Sequence, residues 1–303
     1  MFTTQASPLE KISSKLFPNT NLWVKRDDLL HPTVSGNKAR KLKYQLQFSQ
    51  DKRPKLLTMG GAWSNHLHAT AHAAQLLGLE SIGIIRGHHH LMTVLTPTLE
   101  DCQRVGMRLL SVNHDQYRQL RQPQADWSAA LISQLEAEIA SKLDQTLWLP
   151  EGGSAATALR GVAEIIEELP TKTATIAVAY GTGASLAGLL AGLGGRGKVL
   201  GVAVLKQADY LHIDIARLLR AAQFPAHNNY ELLLGFHHGG YAKFTPELLT
   251  FCAQFLADTG ISIEPIYTGK LFFALHKLAQ ESAFAGGRPV IAVHTGGLQG
   301  LRT

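Results

Sequence analysis

The chain of 303 residues has only two cysteines, Cys102 and Cys252, which lie far apart and lack the spacing of a metal or redox motif. This argues against a disulfide-stapled or zinc-stabilised fold and fits a reducing, cytoplasmic compartment. Charged residues make up 17% of the chain, within an ordinary globular balance, but the formal net charge is +6 and many of the cations lie between Lys25 and Lys55. We expect those cations to surround an anionic group. Because no nucleic-acid motif is present, we expect no nucleic-acid partner.

The sequence also lacks an uninterrupted apolar run long enough to span a membrane. Its most apolar segment, residues 174–193, is broken by Gly-Thr-Gly at 181–183, which predicts a strand, a loop and a helix in a soluble core. The first sixteen residues are mixed and polar, so we expect no signal peptide. Because the apolar segment is broken, we also expect no membrane partner. No internal repeat or low-complexity linker appears.

The chain does contain a regular alternation of apolar, strand-like segments and helical segments. This alternation predicts an α/β protein with open, mostly parallel sheets and helices on both faces. Ligands in such sheets bind beyond the carboxyl ends of the strands, where each glycine-bearing loop below is found. The predicted strands are 22–25, 55–59, 81–85, 107–112, 147–150, 174–180, 198–205 and 289–293, and the predicted helices are 37–46, 65–77, 97–105, 126–143, 157–169, 184–193, 210–222, 246–257 and 270–283.

One short stretch places two lysines at the start of a predicted helix. Residues 35–42 read Ser-Gly-Asn-Lys-Ala-Arg-Lys-Leu, and the helix is expected to begin near Asn37. Lys38 and Lys41 are three residues apart and share one helix face. Two amines at a helix N-terminus favour an anion, and an amine held there has a lowered pKa that suits nucleophilic use. Lys38 is therefore a candidate for a Schiff base with a phosphate-bearing aldehyde cofactor, and a solvated basic helix start is the alternative.

A glycine-rich loop follows the most apolar strand. It comprises Gly181, Thr182, Gly183, Ala184 and Ser185. Its glycines let backbone N–H groups approach an anion, and its two hydroxyls add donors. The loop lacks the Gly-Lys-Ser/Thr of a nucleoside-triphosphate loop and the third glycine of a dinucleotide fingerprint. It predicts a site for a single phosphate, and a tight turn with glycines for steric reasons is the alternative.

Another loop at a strand-to-helix junction comprises Trp63, Ser64, Asn65 and His66. Its hydroxyl, amide and backbone N–H groups are suited to holding a substrate carboxylate or a cofactor oxygen. A serine that only caps the helix is the alternative.

Residues 264–270 read Glu-Pro-Ile-Tyr-Thr-Gly-Lys and precede a further helix. Tyr267 is suited to proton transfer, and Thr268 to a hydrogen bond with a ring nitrogen. A capping threonine beside a core tyrosine is the alternative.

The histidines raise the question of a metal site. His68 and His72 lie one turn apart on a predicted helix, and residues 88–90 are a run of three that predicts an exposed loop. Neither group has a carboxylate at metal-ligand spacing, and the helix does not read His-Glu-x-x-His. We therefore expect no bound metal.

Taken together and in this order, the motifs resemble the 1-aminocyclopropane-1-carboxylate deaminase/D-cysteine desulfhydrase family. The resemblance implies pyridoxal 5′-phosphate as cofactor and the tryptophan-synthase-β-like fold. It also implies a larger, cofactor-binding domain of residues 1–40 and 154–303, a smaller domain of residues 41–153, and a cofactor cleft between them. The motifs are Lys-Arg-Asp-Asp at 25–28, the lysine stretch, Gly-Gly-x-x-Ser-Asn-His at 60–66, Glu-Gly-Gly-Ser at 151–154, Gly-Thr-Gly at 181–183, Pro-Ile-Tyr-Thr-Gly-Lys at 265–270 and His-Thr-Gly-Gly at 294–297.

The resemblance also implies roles for single residues. Lys38 matches the Schiff-base lysine, which acts as the base once it is released, and Lys41 matches a phosphate-side contact. Ser64 is similar to a serine that meets the substrate carboxylate and assists the chemistry, with Trp63, Asn65 and His66 beside it. Tyr267 matches an active-site tyrosine. Asn37 and Asn65 match partners of the cofactor's phenolic oxygen, and residues 181–185 match the phosphate site. Thr268 and Thr295 match positions near the pyridine nitrogen.

Thr268 distinguishes the two halves of this family. Deaminases resemble Tyr-Glu-Gly at this point, whereas desulfhydrases resemble Tyr-Thr-Gly, as this chain does. A neutral threonine supports a protonated ring less than a glutamate does, so the cofactor is a weaker electron sink. β-Elimination of a good leaving group needs less electron withdrawal than opening a cyclopropane. The resemblance therefore implies a lyase or deaminase that acts on a small D-amino acid and releases a 2-keto acid, ammonia and, from D-cysteine, sulfide.

Two departures from the family pattern keep other functions open. Trp63 stands where the family usually has glutamine, and the chain ends soon after Gly297, where the family usually continues into a closing helix. The alternatives are a 1-aminocyclopropane-1-carboxylate deaminase, a serine- or threonine-type dehydratase, a pyridoxal-phosphate-binding protein with little turnover, and a phosphate-sugar binder. By resemblance, the expected partners are an amino-acid substrate and a second copy of the chain in a homodimer.

Overall fold

The structure is a computed structural model that describes residues 3–48, 53–87, 95–122 and 145–302. The predicted helix at 126–143 and the histidine run at 88–90 lie outside these residues. The chain divides into two compact units. The smaller unit contains Leu46–Gly153 together with Arg302, and the larger unit contains Thr3–Gln45 and Ser154–Leu301.

Strands and helices alternate along most of the described residues. The strands are β1 (Leu9–Lys11), β2 (Leu22–Lys25), β3 (Lys55–Gly60), β4 (Ser81–Arg86), β5 (Met107–Val112), β6 (Thr146–Leu149), β7 (Thr175–Tyr180), β8 (Lys198–Ala203), β9 (Tyr230–Leu233) and β10 (Val290–Val293). The helices are α1 (Asn37–Gln45), α2 (Asn65–Leu77), α3 (Pro97–Arg104), α4 (His114–Leu120), α5 (Ala156–Glu167), α6 (Ala184–Leu193), α7 (Leu211–Ala221), α8 (Pro246–Thr259) and α9 (Thr268–Gln280).

The larger unit is built on a six-stranded sheet in the order β1-β2-β10-β7-β8-β9. Every neighbouring pair is parallel except β1 with β2. The central strand β7 is buried along its whole length, and successive side chains point to opposite faces. Ile176 and Val178 pack with helices α5, α6 and α7, whereas Ala177 and Ala179 pack with α8 and α9. Full burial of a side chain such as Ile176 or Val178 contributes about 1.5–3 kcal/mol.

The smaller unit has a four-stranded parallel sheet in the order β5-β4-β3-β6. One face packs against Tyr117 and Leu120 of α4, and the other against Leu67 of α2 and Leu99 of α3. The predicted α/β class, with two mostly parallel sheets and helices on both faces, is therefore confirmed. No helix among the described residues combines the length and the apolar character needed to cross a membrane.

Several elements differ from the sequence prediction for identifiable reasons. The sequence did not predict β1 and β9, which are short, partly buried edge strands with weak apolar patterns. It also missed α4, a mostly polar helix that begins with a capping box between Asn113 and Gln116. Helix α9 begins at Thr268, two residues earlier than predicted, because the Glu264 carboxylate accepts the free N–H groups of its first turn.

Candidate active site

The predicted lysine helix begins at Asn37, as the sequence indicated. Lys41 is buried, and Lys38 keeps a partly accessible surface. Burial lowers the pKa of Lys38 to about 8, and burial together with the charge of Lys38 lowers the pKa of Lys41. An amine with such a pKa is partly neutral near pH 7 and can act as a nucleophile or as a base. Two adjacent buried amines also favour a bound anion.

A close approach between two backbone turns holds the start of this helix. The Thr295 carbonyl accepts a hydrogen bond of 3.2 Å from the Asn37 N–H. A Cβ atom at Gly36, whose φ is +63°, would lie only 1.8 Å from the Thr295 oxygen, so no other residue fits there. The motifs at 35–42 and 294–297, which are far apart in the sequence, are thus in direct contact.

The glycine-rich loop lies beside the same helix start. Asn37 Nδ2 donates to Ser185 Oγ at 2.8 Å, and Ser154 Oγ donates to Thr182 Oγ1 at 2.5 Å. Gly183, with φ at +80°, precedes α6, and no side chain of the described residues caps the first turn of that helix. Its free N–H groups therefore remain available to an anion.

Tyr267 lies against this loop. A Cβ atom at Gly181 would be 3.5 Å from Tyr267 Cε1 and 3.7 Å from the Tyr267 hydroxyl. The ring of Tyr241 meets the Tyr267 ring edge to face, with centroids 6.2 Å apart. Sequence reasoning missed Tyr241. The signal that the sequence offered was the pair Gly239-Gly240 before it, which indicates a turn. In the structure both glycines have positive φ.

Thr268 makes its hydrogen bonds within its own loop. Its hydroxyl donates to the Glu264 carboxylate at 3.1 Å and accepts a hydrogen bond from the Glu264 N–H at 2.9 Å. The carboxylate also accepts from the N–H groups of Ile266, Tyr267 and Thr268. Burial raises the pKa of Glu264 to about 7, although these donors act in the opposite direction. A hydroxyl has one proton and two lone pairs, so Thr268 keeps one lone pair for a further donor.

The four predicted residues at 63–66 lie together in the smaller unit. Ser64 caps α2, because its hydroxyl accepts from the Leu67 N–H at 3.2 Å. Asn65 is the first residue of that helix, His66 is buried, and Trp63 is partly buried. A capping serine uses its oxygen as an acceptor, which leaves the hydroxyl proton for another partner. The capping role therefore does not exclude a second role, and contact with a substrate stays a prediction for this loop.

The expectation that the cations between Lys25 and Lys55 surround an anion is wrong for several of them, among them Lys25, Arg40 and Lys43. Arg40 pairs with both carboxylate oxygens of Asp27 at 2.7 and 2.8 Å and with Glu168 at 2.7 and 2.9 Å. Lys25 contacts the same Glu168 at 2.6 Å, and Lys43 contacts Glu164 at 2.5 Å. These cations are neutralised by carboxylates of the larger unit.

His68 and His72 have other partners than a metal in the structure. His68 Nε2 lies 3.3 Å from Asp101, whose carboxylate also pairs with Arg104 and Arg302. Burial is the main cause that lowers the pKa of His68 to about 4. His72 Nδ1 is hydrogen-bonded to the His68 carbonyl at 2.9 Å. Among the residues that the structure describes, no three His, Cys, Asp or Glu side chains are grouped as metal ligands.

The larger unit thus brings together two amines of lowered pKa, an uncapped helix N-terminus, and a hydroxyl- and amide-lined loop beneath a tyrosine. These groups fit a small molecule that has both an aldehyde and a phosphate. A primary amine of lowered pKa suits the aldehyde, and backbone N–H groups with a second amine suit the phosphate.

Comparison with known proteins identifies the class of protein to which this site belongs. Residues 3–296 match the family model of pyridoxal-phosphate-dependent enzymes. The chain belongs to this family: it is an enzyme, and its cofactor is pyridoxal phosphate.

Particular relatives narrow the class further. The chain is 30% identical to the bifunctional D-cysteine desulfhydrase/1-aminocyclopropane-1-carboxylate deaminase of Arabidopsis thaliana, over 97% of this chain and 77% of the relative. It is 27% identical to D-cysteine desulfhydrase of Yersinia enterocolitica, over 98% and 92%. The solved structure of an ACC deaminase homologue matches with a TM-score of 0.79 and 26% identity, over 98% of this chain and 91% of that one. The predicted family is therefore confirmed.

Proposed function

We propose that this enzyme catalyses β-elimination from a small D-amino acid, with D-cysteine as its representative substrate, and releases a 2-keto acid, ammonia and sulfide. The observation that supports it most is the hydrogen bond from Asn37 to Ser185, which joins the start of the helix that carries Lys38, an amine of lowered pKa, to the glycine-rich loop. Relatives that are named D-cysteine desulfhydrase support the choice of substrate.

Within this proposal, the larger unit supplies most of the residues that would hold the cofactor. Lys38 attaches to the aldehyde, and Lys41 with the backbone of residues 181–185 holds the phosphate. Asn37 and Asn65 are the proposed partners of the phenolic oxygen, and Thr268 and Thr295 the proposed neighbours of the pyridine nitrogen. When bound, pyridoxal phosphate supplies an electron sink that stabilises negative charge on the substrate α-carbon.

Two residues of the chain move protons in this proposal. Once it is released from the aldehyde, Lys38 Nζ, whose pKa is lowered to about 8 by burial, would be the base that accepts the substrate's α-proton. The Tyr267 hydroxyl is the proposed proton donor to the leaving group. Ser64, Asn65, His66 and Trp63 are the proposed contacts of the substrate carboxylate, and Ser64 Oγ has a proton to donate to it.

A second candidate function, deamination of 1-aminocyclopropane-1-carboxylate, is favoured by one specific observation. The Thr268 hydroxyl proton faces the Glu264 carboxyl group at 3.1 Å, so the oxygen of Thr268 can act only as an acceptor toward a further group. An acceptor of this kind supports a protonated ring nitrogen better than an isolated threonine does. The Arabidopsis relative is named for both activities.

The experiment that tests the proposed function begins with borohydride reduction of the purified holoenzyme, followed by peptide mapping. We expect the cofactor on Lys38, and recovery of the labelled peptide from another lysine would defeat the assignment. Sulfide, ammonia and keto acid are then assayed with D-cysteine, L-cysteine, D-serine, L-threonine and 1-aminocyclopropane-1-carboxylate. A visible spectrum that no amino acid changes would favour a cofactor-binding protein with little turnover.

Three further properties belong to the same proposal. We propose a homodimer, as the family resemblance implies, which light scattering of the holoenzyme tests. We propose a cytoplasmic location, which the presence of free Cys102 and Cys252 supports. Because the final step adds water to release ammonia, the deaminase activity is also hydrolytic.

A further inference from the structure

We propose that His294 is a positioning residue for Lys38, and that it acts through its Nδ1 atom on the peptide that joins Thr295 and Gly296. The inference rests on the proposed function, in which Lys38 holds the cofactor. His294 belongs to the His-Thr-Gly-Gly motif, yet its side chain has no part in the chemistry described above. It is completely buried, so it can act only through its neighbours.

The contacts of His294 define which nitrogen has the proton. Its Nε2 lies 2.7 Å from the Ser262 carbonyl oxygen, which can only accept, so Nε2 is the donor. Its Nδ1 lies 3.2 Å from the Gly296 nitrogen, which can only donate, so Nδ1 is the acceptor. The imidazole is therefore neutral, with a single tautomer required by its partners.

The charges around His294 are consistent with this neutral form. Asp28 Oδ1 lies 3.5 Å from Nδ1, but both oxygens of that carboxylate are already paired with Arg26, at 2.9 and 2.7 Å. Burial lowers the pKa of His294 more than Asp28 raises it. Nδ1 therefore keeps its lone pair for the Gly296 N–H.

One peptide plane connects this nitrogen to the lysine helix. The N–H of Gly296 and the carbonyl of Thr295 belong to the same planar unit, so they cannot rotate independently. The N–H side is held by His294, and the carbonyl side accepts the N–H of Asn37, the residue before Lys38. The plane also has little room to shift, because a Cβ at Gly296 would lie 2.5 Å from Ser35 Oγ. Loss of the Nδ1 acceptor would free this plane and, with it, the first turn of α1.

Two substitutions separate the two nitrogens of His294. In His294→Asn, the amide oxygen occupies the place of Nδ1 and keeps an acceptor for Gly296. In His294→Gln, the amide nitrogen reaches the place of Nε2 and keeps the donor to Ser262, but the acceptor for Gly296 is lost. Both variants are purified as apoprotein, their thermal unfolding is compared, and the dissociation constant of pyridoxal phosphate is measured for each.

At a temperature at which both apoproteins are folded, we expect His294→Gln to weaken cofactor binding by about tenfold or more, because binding must then reorder the freed first turn of α1. His294→Asn is expected to stay within about threefold of the wild type. Equal losses in both variants, or a larger loss in His294→Asn, would overturn the proposal. Borohydride trapping of the wild-type protein tests Lys38 independently, so a failure of the proposed function is distinguishable from a failure of this inference.

A measurement on the unaltered holoenzyme covers the case in which His294→Gln does not fold. Long-range ¹H–¹⁵N spectra of selectively ¹⁵N-histidine-labelled protein report the tautomer of each ring. We expect His294, assigned by its absence in His294→Asn, to show a protonated Nε2 and an unprotonated Nδ1 at neutral pH. A proton on Nδ1 would leave the Gly296 N–H without its acceptor and refute the proposal.

Discussion

The Asn37 side-chain amide donates a 2.8 Å hydrogen bond to the Ser185 hydroxyl, which joins two residues 148 positions apart in the sequence. Both residues are buried. One belongs to the lysine helix and the other to the loop proposed to hold the phosphate. The bond therefore sets the distance between the amine and the loop.

We predict that Asn37→Ala and Ser185→Ala each weaken binding of pyridoxal phosphate, and that the double variant loses less than the sum of the two. A coupling free energy of about 0.5–1.5 kcal/mol is expected for one buried hydrogen bond. Cofactor titration of the four apoproteins gives the cycle. Strictly additive losses would mean that the two residues act independently on the cofactor.

The helix that carries Asn37 and the loop that carries Ser185 could be predicted from the sequence, because each depends on a local pattern. A helix start after Ser-Gly-Asn and apolar strands that end in glycine loops are signals within short windows. The sequence also placed all these loops at the carboxyl ends of strands. The parallel pairing of β7 with β8 and β10 agrees with this placement.

The side-chain pairings around these elements could not be predicted, because most of them join residues that are distant in the sequence. Arg40 looked like part of an anion site, but its carboxylate partner Glu168 lies 128 residues away. Such a pairing follows from the packing of α1 against α5, which the apolar pattern of neither helix indicates. The partner of Thr268 is local, since Glu264 is four residues earlier, but the residue pattern alone did not indicate that its carboxylate folds back onto the helix start.

Lys41 should act on the phosphate of the cofactor and not on its ring. We predict that Lys41→Met weakens binding of pyridoxal phosphate by about tenfold or more, since a hydrogen bond to a charged group contributes about 1.5–3 kcal/mol. Binding of pyridoxal, which has no phosphate, should change by less than about threefold. Both constants are measured by absorbance titration.

Lys43→Met is the matched control for Lys41, because Lys43 lies on the same helix and pairs with Glu164. It should leave both binding constants within about threefold of the wild type. An equal effect of Lys41→Met on pyridoxal and its phosphate would contradict the assignment.

Glu264 should make the protein less stable as the pH rises. Burial raises its pKa to about 7 from 4.5, so between these values the folded protein keeps a proton that the unfolded chain has released. We predict that the free energy of unfolding of the wild type falls, relative to Glu264→Gln, by roughly 2 to 3 kcal/mol between pH 5 and pH 7.5. Urea unfolding at the two pH values measures this difference. The exposed Glu281→Gln serves as control and should show no such change.

His68 in the smaller unit should have the opposite pH dependence. Burial lowers its pKa to about 4 from 6.5, so on acidification the unfolded chain takes up a proton that the folded protein does not. The free energy of unfolding therefore decreases as the pH is lowered. We predict that the wild type loses roughly 2 to 3 kcal/mol relative to His68→Gln between pH 7 and pH 4.5. Urea unfolding followed by fluorescence measures the loss, with the exposed His212→Gln as control. If His68→Gln and the wild type lose stability in parallel, the histidine is protonated in the folded state through Asp101, and burial is not the dominant effect.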